Sequence, residues 1–156
     1  MKRLALLSII LMATCVVAMA QPRAIGGRFA YSAGVSYQHS IGEKNMIQVD
    51  LDFPAFAWGI QATATYNWIF PIKSWSGAGS WNWYAGVGAG AGVNWWGIGW
   101  AGAAGMIGVE YNFSFPLQLS LDWRPLIGPA FYRGYVDYYL GGLWAGAFGL
   151  GVRYKF

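Results

Sequence analysis

Hydrophobic and polar residues alternate along most of the chain, and the alternation is cleanest at its end. Trp144, Phe148, Leu150, Val152, Tyr154 and Phe156 share one parity, while Ala145, Ala147, Gly149, Gly151, Arg153 and Lys155 share the other. A period of two is that of a strand with one apolar face and one small or cationic face. Leu117, Leu119, Leu121 and Trp123 repeat it against Gln118, Ser120, Asp122 and Arg124. Ile107, Val109, Tyr111 and Phe113 do so against Met106, Gly108, Glu110 and Asn112, and Ile47, Val49, Leu51 and Phe53 against Gln48, Asp50 and Asp52. Ile60, Ala62, Ala64, Tyr66, Trp68 and Phe70 oppose Gln61, Thr63, Thr65, Asn67 and Ile69.

Two architectures produce such a pattern. In a soluble sandwich or small-ligand barrel the apolar face is the core. In a membrane barrel the apolar face meets lipid and the polar face fills the interior. Three features favour the membrane. The apolar faces end in aromatics, at Trp68-Phe70, Tyr111-Phe113 and Tyr154-Phe156, as interfacial girdles do. The polar faces are rich in small residues, with Gly86, Gly88, Gly90 and Gly92 on one parity, which suits a crowded interior. The chain also begins with an export signal, described below. The charge-free run 83–109, with Gly86-x-x-x-Gly90 and Gly88-x-x-x-Gly92, is long enough for one transmembrane helix. It is too glycine-dense for that to be favoured, and Asn94, Gly97 and Gly99 mark a turn between two strands instead.

Topology supplies the strand count. Membrane barrels have short periplasmic turns, longer external loops and an even number of strands. Gly42-Glu43-Lys44-Asn45 and Ser114-Phe115-Pro116 are the short turns. Working back from a last strand at 143–156 places strands at 116–125, 101–113, 81–93, 59–71, 45–54 and 33–41. An eighth, 23–30, must precede them, with a bend at Ser32 to Gly34. The expected fold is all-β: an eight-stranded antiparallel up-and-down transmembrane β-barrel. The segment 72–80 falls on the periplasmic side, where it is long.

Composition agrees with this picture. The chain has 156 residues, 56% hydrophobic, 19% aromatic and 10% charged, where a soluble domain carries about 25% charged residues. A formal charge of +4, with no Lys/Arg cluster beyond the first three residues, leaves no footprint for nucleic acid. Lys2 and Arg3, the apolar stretch Leu4 to Val17, and Ala18-Met19-Ala20 read as a signal peptide over 1–20, cleaved before Gln21. The barrel domain is then 21–156. Cys15 lies in the leader, so the exported chain has no disulfide framework.

Inward parity collects Arg28, Arg124, Arg153 and Lys155 together with Asp50, Asp52, Glu110 and Asp122. Four basic residues match four acidic ones. Unpaired charges in a narrow interior are costly, so a salt-bridged plug is expected rather than an ion path. No catalytic, metal or cofactor site emerges. The one histidine, His39, has outward parity near a periplasmic strand end, far from the external rim where a nucleophilic hydrolase would need its base. The glycines of 86–92 are followed by no basic residue or helix start, so they are no phosphate loop. Glu43 and Lys44 read as solvated turn residues.

The external segments are Ser32 to Gly34, Pro54 to Trp58, Asn94 to Gly99, and the longest, Leu126 to Gly142. The last contains Phe131, Tyr132, Arg133, Tyr135, Asp137, Tyr138 and Tyr139. Aromatics with arginine suit surface contacts. They equally suit the upper girdle of extended strands, which is the favoured reading.

Leu119-Ser120-Leu121-Asp122-Trp123-Arg124-Pro125 before an external segment, and the closing Leu150-Gly151-Val152-Arg153-Tyr154-Lys155-Phe156, resemble small outer-membrane β-barrel proteins of Bacteroidota type. The barrel is similar to the OmpA transmembrane domain and opacity proteins. The resemblance implies periplasmic chaperones and the barrel-assembly machinery as partners during biogenesis, and outer-membrane lipid afterwards. Val152, Tyr154 and Phe156 would be the terminal assembly signal. It implies a structural or surface-interaction role without catalysis; a narrow solute channel and a membrane-embedded lipid-modifying enzyme are the alternatives. No surface ligand is named by the sequence.

Overall fold

A computed structural model describes residues 21–54, 59–75, 77–140, 143 and 147–156. The leader 1–20, most of the segment 54–58, and Trp144 and Ala145 of the final alternation lie outside these residues. Ten strands form one antiparallel sheet: β1 (Gln21–Phe29), β2 (Ser32–Ser40), β3 (Asn45–Pro54), β4 (Gly59–Pro71), β5 (Ser80–Asn94), β6 (Gly99–Asn112), β7 (Leu117–Trp123), β8 (Leu126–Tyr132), β9 (Tyr135–Tyr139) and β10 (Phe148–Lys155).

The sheet closes into an eight-stranded barrel. Consecutive strands β1 to β6 pair as neighbours, and β5 also pairs with β6, joining what would otherwise be two ends. β7 and β8 are successive stretches of one barrel strand, both laid along β6: Ile107 faces Trp123 and Ala104 faces Leu126. Arg124-Pro125 interrupts them, because a proline lacks the N–H that the ladder requires. β9 and β10 together make the eighth strand, and β10 closes the barrel against β1, where Ala24 faces Lys155 and Phe29 faces Leu150. The run 83–109 is the β5–β6 hairpin, and no helix among the described residues is long and apolar enough to cross a membrane.

Two boundaries differ from expectation. The first bend lies at Ala30-Tyr31 rather than Ser32 to Gly34; Phe29 already faces Ala33, and Ala30 N–H donates to Ser32 O at 2.6 Å. Gly34 is inside β2, opposite Asp52. The segment 126–142 is mostly strand. Tyr132 faces Tyr135 across a two-residue turn, Arg133-Gly134, whose φ values of 46° and 87° are those of the tight hairpin that matches strand twist. The long lower turn 72–80 has a physical basis as well: Trp75 packs edge-on against Trp81 at 5.1 Å, and Trp81 lies 4.7 Å from Tyr111.

Polarity is inverted relative to a soluble barrel. Arg28, Ser36, Gln38, Gln48, Asp50, Asp52, Thr63, Thr65, Asn67, Glu110, Gln118, Asp122 and Arg153 point inward and are buried. Ile25, Val35, Leu51, Val87, Ile107, Leu121 and Leu150 point outward and are exposed. The interior fits because large side chains sit beside glycines on the next strand. Tyr84 faces Gly108, Trp100 faces Gly92, and Arg153 faces Gly26. A Cβ at Gly108 would meet the Tyr84 ring at 2.6 Å, and one at Gly149 would overlap the Arg28 guanidinium. Gly149→Val should therefore lower stability by about 1–3 kcal/mol through overpacking. Urea unfolding followed by tryptophan fluorescence measures this, and an unchanged midpoint would contradict the packing described.

Candidate functional site

The interior of the barrel is a ladder of charges and amides from the lower end, where Arg23 and Phe156 meet, to the upper rim. At the bottom Glu110 on β6 is fully buried and ion-paired with Arg23. It accepts hydrogen bonds from Arg23 Nη1 (3.0 Å), Asn82 Nδ2 (2.8 Å), Asn112 Nδ2 (3.1 Å) and Gln118 Nε2 (3.1 Å). A carboxylate so surrounded has its charge and its lone pairs satisfied without water. The parity reading missed Arg23 because it has the outward parity of β1. The register slips between Pro22 and Ala24, leaving Arg23 as the extra residue of a bulge, and a bulge redirects a side chain. No local sequence signal marks that slip.

From Arg23 a chain of amides climbs β2 and β3. Arg23 Nη1 donates to Gln38 Oε1 at 3.0 Å, Gln38 Nε2 to Gln48 Oε1 at 2.9 Å, and Gln48 Nε2 to Asp50 Oδ2 at 2.9 Å. Arg124 crosses from the β7–β8 strand to hold both Asp50, at 2.6 Å, and Asp52. Arg28 donates to Asp122 through Nε at 2.9 Å and to the Ala147 carbonyl at 3.0 Å. The Tyr84 hydroxyl donates to the other Asp122 oxygen at 3.3 Å.

The structure thus brings Arg28, Arg124, Asp50, Asp52, Glu110 and Asp122 into contact networks and recruits Arg23 to them. Arg153 is placed differently. It is buried but bonds to neutral groups: Nε donates to Ser36 Oγ at 2.9 Å, and Nη1 to Ser120 Oγ at 2.6 Å and Gln118 Oε1 at 3.3 Å. Lys155 lies at the lower rim, where Nζ donates to the Phe113 carbonyl at 2.7 Å. The expected four-by-four matching is replaced by three arginines, 23, 28 and 124, on four carboxylates. Arg124 can serve two because Asp50 and Asp52 sit two residues apart on one face of β3.

Apolar clusters divide this ladder. Met46, Tyr84 and Met106 pack together with Ile69 in the lower half. At the top Trp100, Ala104 and Leu126 pack with Ile98, Ala130 and Tyr139. Trp100 stacks on Tyr139 at 5.0 Å, and both donate to Gln61 Oε1, at 2.9 and 3.4 Å. Below, a depression of about 280 Å³ at the lower mouth is lined by Arg23, Ser40, Glu43, Lys44 and Asn82 together with Ile69 and Pro71.

The remaining candidates lie outside. Val152, Tyr154 and Phe156 line up on the outer face of the closing strand, with Tyr154 edge-on to Phe156 at 5.5 Å and the Phe156 N–H donating to Arg23 O at 3.2 Å. Phe131, Tyr132, Arg133, Tyr135 and Tyr138 all belong to the β8–β9 hairpin, and Tyr135 and Tyr138 are 79% and 84% exposed. Arg133 lies 5.2 Å from the Tyr132 ring centre. His39 is on the outer face of β2, its Nδ1 2.8 Å from the Tyr37 hydroxyl. No family model, curated protein or solved structure matches this chain.

Arg28→Met would leave Asp122 buried beside no guanidinium. Removing one partner of a buried ion pair costs about 3–5 kcal/mol, because the survivor keeps its desolvation penalty. Arg28→Met combined with Asp122→Asn should recover most of that loss, since the amide is neutral. A denaturant-based double-mutant cycle measures the coupling, and strictly additive losses would contradict the pair.

Proposed function

We propose that the chain is an integral outer-membrane β-barrel with a closed interior, exported through residues 1–20 and cleaved after Ala20, with a structural and surface-contact role and no catalysis. The observation that carries this reading is the inverted polarity. Val87, Leu121 and Val35 are 61%, 59% and 51% exposed, while Arg28 and Glu110 are 1% and 0% exposed. An outer wall this apolar is a liability in water and a match to hydrocarbon, where a closed barrel satisfies every backbone group.

Aromatics sit where the wall would meet the two headgroup layers. Phe70 stacks on Trp83 at 4.3 Å, and Tyr111 and Phe113 pack at 4.6 Å, near the lower end. Phe29, Phe53, Trp95 and Trp96 mark the upper end. Such belts fix the depth of a barrel in a bilayer. Strands β1 to β10 carry no charge on the outer face between the belts, so lipid is the natural medium.

Closure of the interior rests on the arginine–carboxylate network and on the Trp100–Tyr139 lid above it. Eight strands leave room for side chains rather than a channel. Each interior carboxylate is engaged by an arginine, which removes it from acid–base work on a substrate. The outward row Val152, Tyr154 and Phe156 fits the assembly signal that the resemblance implies, read by the barrel-assembly machinery after delivery by periplasmic chaperones. The upper hairpin is the surface-contact element.

Expression in a Gram-negative host tests the reading. The protein should fractionate with outer membranes, start at Gln21 by intact mass, and run faster on unheated than on boiled SDS gels. In planar bilayers it should give no large, stable conductance steps. Recovery in the periplasmic extract would overturn the membrane reading, and stable conductance would replace the closed interior with a narrow solute channel.

A further inference from the structure

The barrel rim is uneven, and the unevenness leaves a strand edge open. β8 continues upward along β6 as far as Gly99 opposite Phe131, and β9 returns beside it. On the far side of β9 the barrel would need β1, but β1 ends at Phe29, which faces Leu150 well below. Among the described residues β9 pairs with β8 alone.

The direction of each β9 backbone group follows from the turn. A two-residue hairpin closes on a hydrogen-bonded pair, here Tyr132 and Tyr135, and such pairs alternate with pairs whose N–H and C=O point away. Val136 and Tyr138 therefore turn their backbone groups outward. The Tyr138 N–H bears this out, since it is captured by the Asp137 carboxylate at 2.7 Å rather than by β8. Side chains alternate too. Tyr139 faces inward onto Trp100, so Tyr135 and Asp137 share its face, while Val136 and Tyr138 occupy the other.

We propose that the free edge of β9 is a strand-addition site that takes an extended segment of a partner polypeptide carrying a lysine or arginine opposite Asp137. This rests on the surface-contact reading of the upper hairpin and names its mode. The Val136 N–H and C=O and the Tyr138 C=O are free for another backbone, and a partner's cation that draws Asp137 away releases the Tyr138 N–H as well. Tyr135, Val136, Tyr138 and Tyr139 are strand-favouring side chains that flank such a segment on both faces. Asp137 is the one ionisable acid on β9 and sets the charge of its neighbour. It also disfavours a second copy of the same edge, since antiparallel pairing centred on β9 would bring two carboxylates together.

The folded barrel in detergent, titrated with fluorescein-labelled ten-residue Val/Thr-alternating peptides bearing a central Lys or Glu, tests the proposal by anisotropy. The Lys peptide should bind at least tenfold more tightly than the Glu peptide. Asp137→Lys should reverse that preference. Val136→Pro should weaken binding at least tenfold. It removes an outward N–H and leaves the ladder to β8, so an unchanged unheated gel mobility confirms that the barrel is intact. Equal binding by Val136→Pro, or no charge preference, would overturn strand addition. A dimer by light scattering that Val136→Pro dissolves would overturn it in favour of self-pairing. Tyr138→Cys on intact cells, with an impermeant maleimide, separates the two readings. Labelling without peptide binding sinks strand addition alone; peptide binding without labelling supports strand addition and sinks the surface reading.

Discussion

A charged side chain inside a barrel eight strands wide needs two things at once, a partner to neutralise it and a gap to lie in. Arg28 has Asp122 for the first and Gly149 for the second. The same double condition governs the rest of the interior. Tyr84 reaches Asp122 because Gly108 leaves space for its ring, and Arg153 crosses β1 to Ser36 over Gly26. Composition follows from this constraint. Gly108, Gly149 and Gly92 are not loose packing but the space that Tyr84, Arg28 and Trp100 occupy.

The network also has a direction. Arg23 and Arg28 stand on β1 and Arg153 on β10, the two strands that meet where the barrel closes. Arg23 reaches β6, Arg28 reaches β7, and Arg153 reaches β2 and β7. The bonds of Arg23 to Glu110, Arg28 to Asp122 and Arg153 to Ser36 cross the seam and at least one strand beyond it, so they form only once the sheet has curled on itself, whereas Arg153 meets Gln118 and Ser120 on the neighbouring β7. Backbone pairing between β1 and β10 joins the edges, and the arginines lock the curvature that the pairing requires. Arg124 does the same across the diameter, tying the β7–β8 strand to β3.

Much of this architecture was legible because strand parity is a rigid rule. Once Leu121 is outside, Asp122 is inside, and the same step from strand to strand placed Asp50, Asp52, Glu110 and Arg153 on the inner face. What parity cannot see is a break in itself. The bulge at Arg23 inverted one residue and hid a partner of Glu110, and the Ala30-Tyr31 turn carries no glycine or asparagine to announce it. Pairing was harder still. Equal numbers of acids and bases suggested one-to-one matches, but who meets whom depends on the stagger between distant strands, and stagger let Arg124 take two carboxylates while Arg153 took hydroxyls. The aromatics of 126–142 suit strand extension; that the far edge of the hairpin within it stays open follows from the height of β1, a property of the closed barrel rather than of any local segment.

The pairing of β1 with β10 bears on the order of events in the cell. Ala24 finds its place opposite Lys155, far along the chain, so the contact is strongly non-local. Synthesis from the N-terminal side makes the first strand before the last. Until β10 arrives, β1 has one free edge, and no closed wall holds its two inward arginines, Arg23 and Arg28, against Glu110 and Asp122. Closure of the barrel therefore waits on the final strand, whatever early hairpins form.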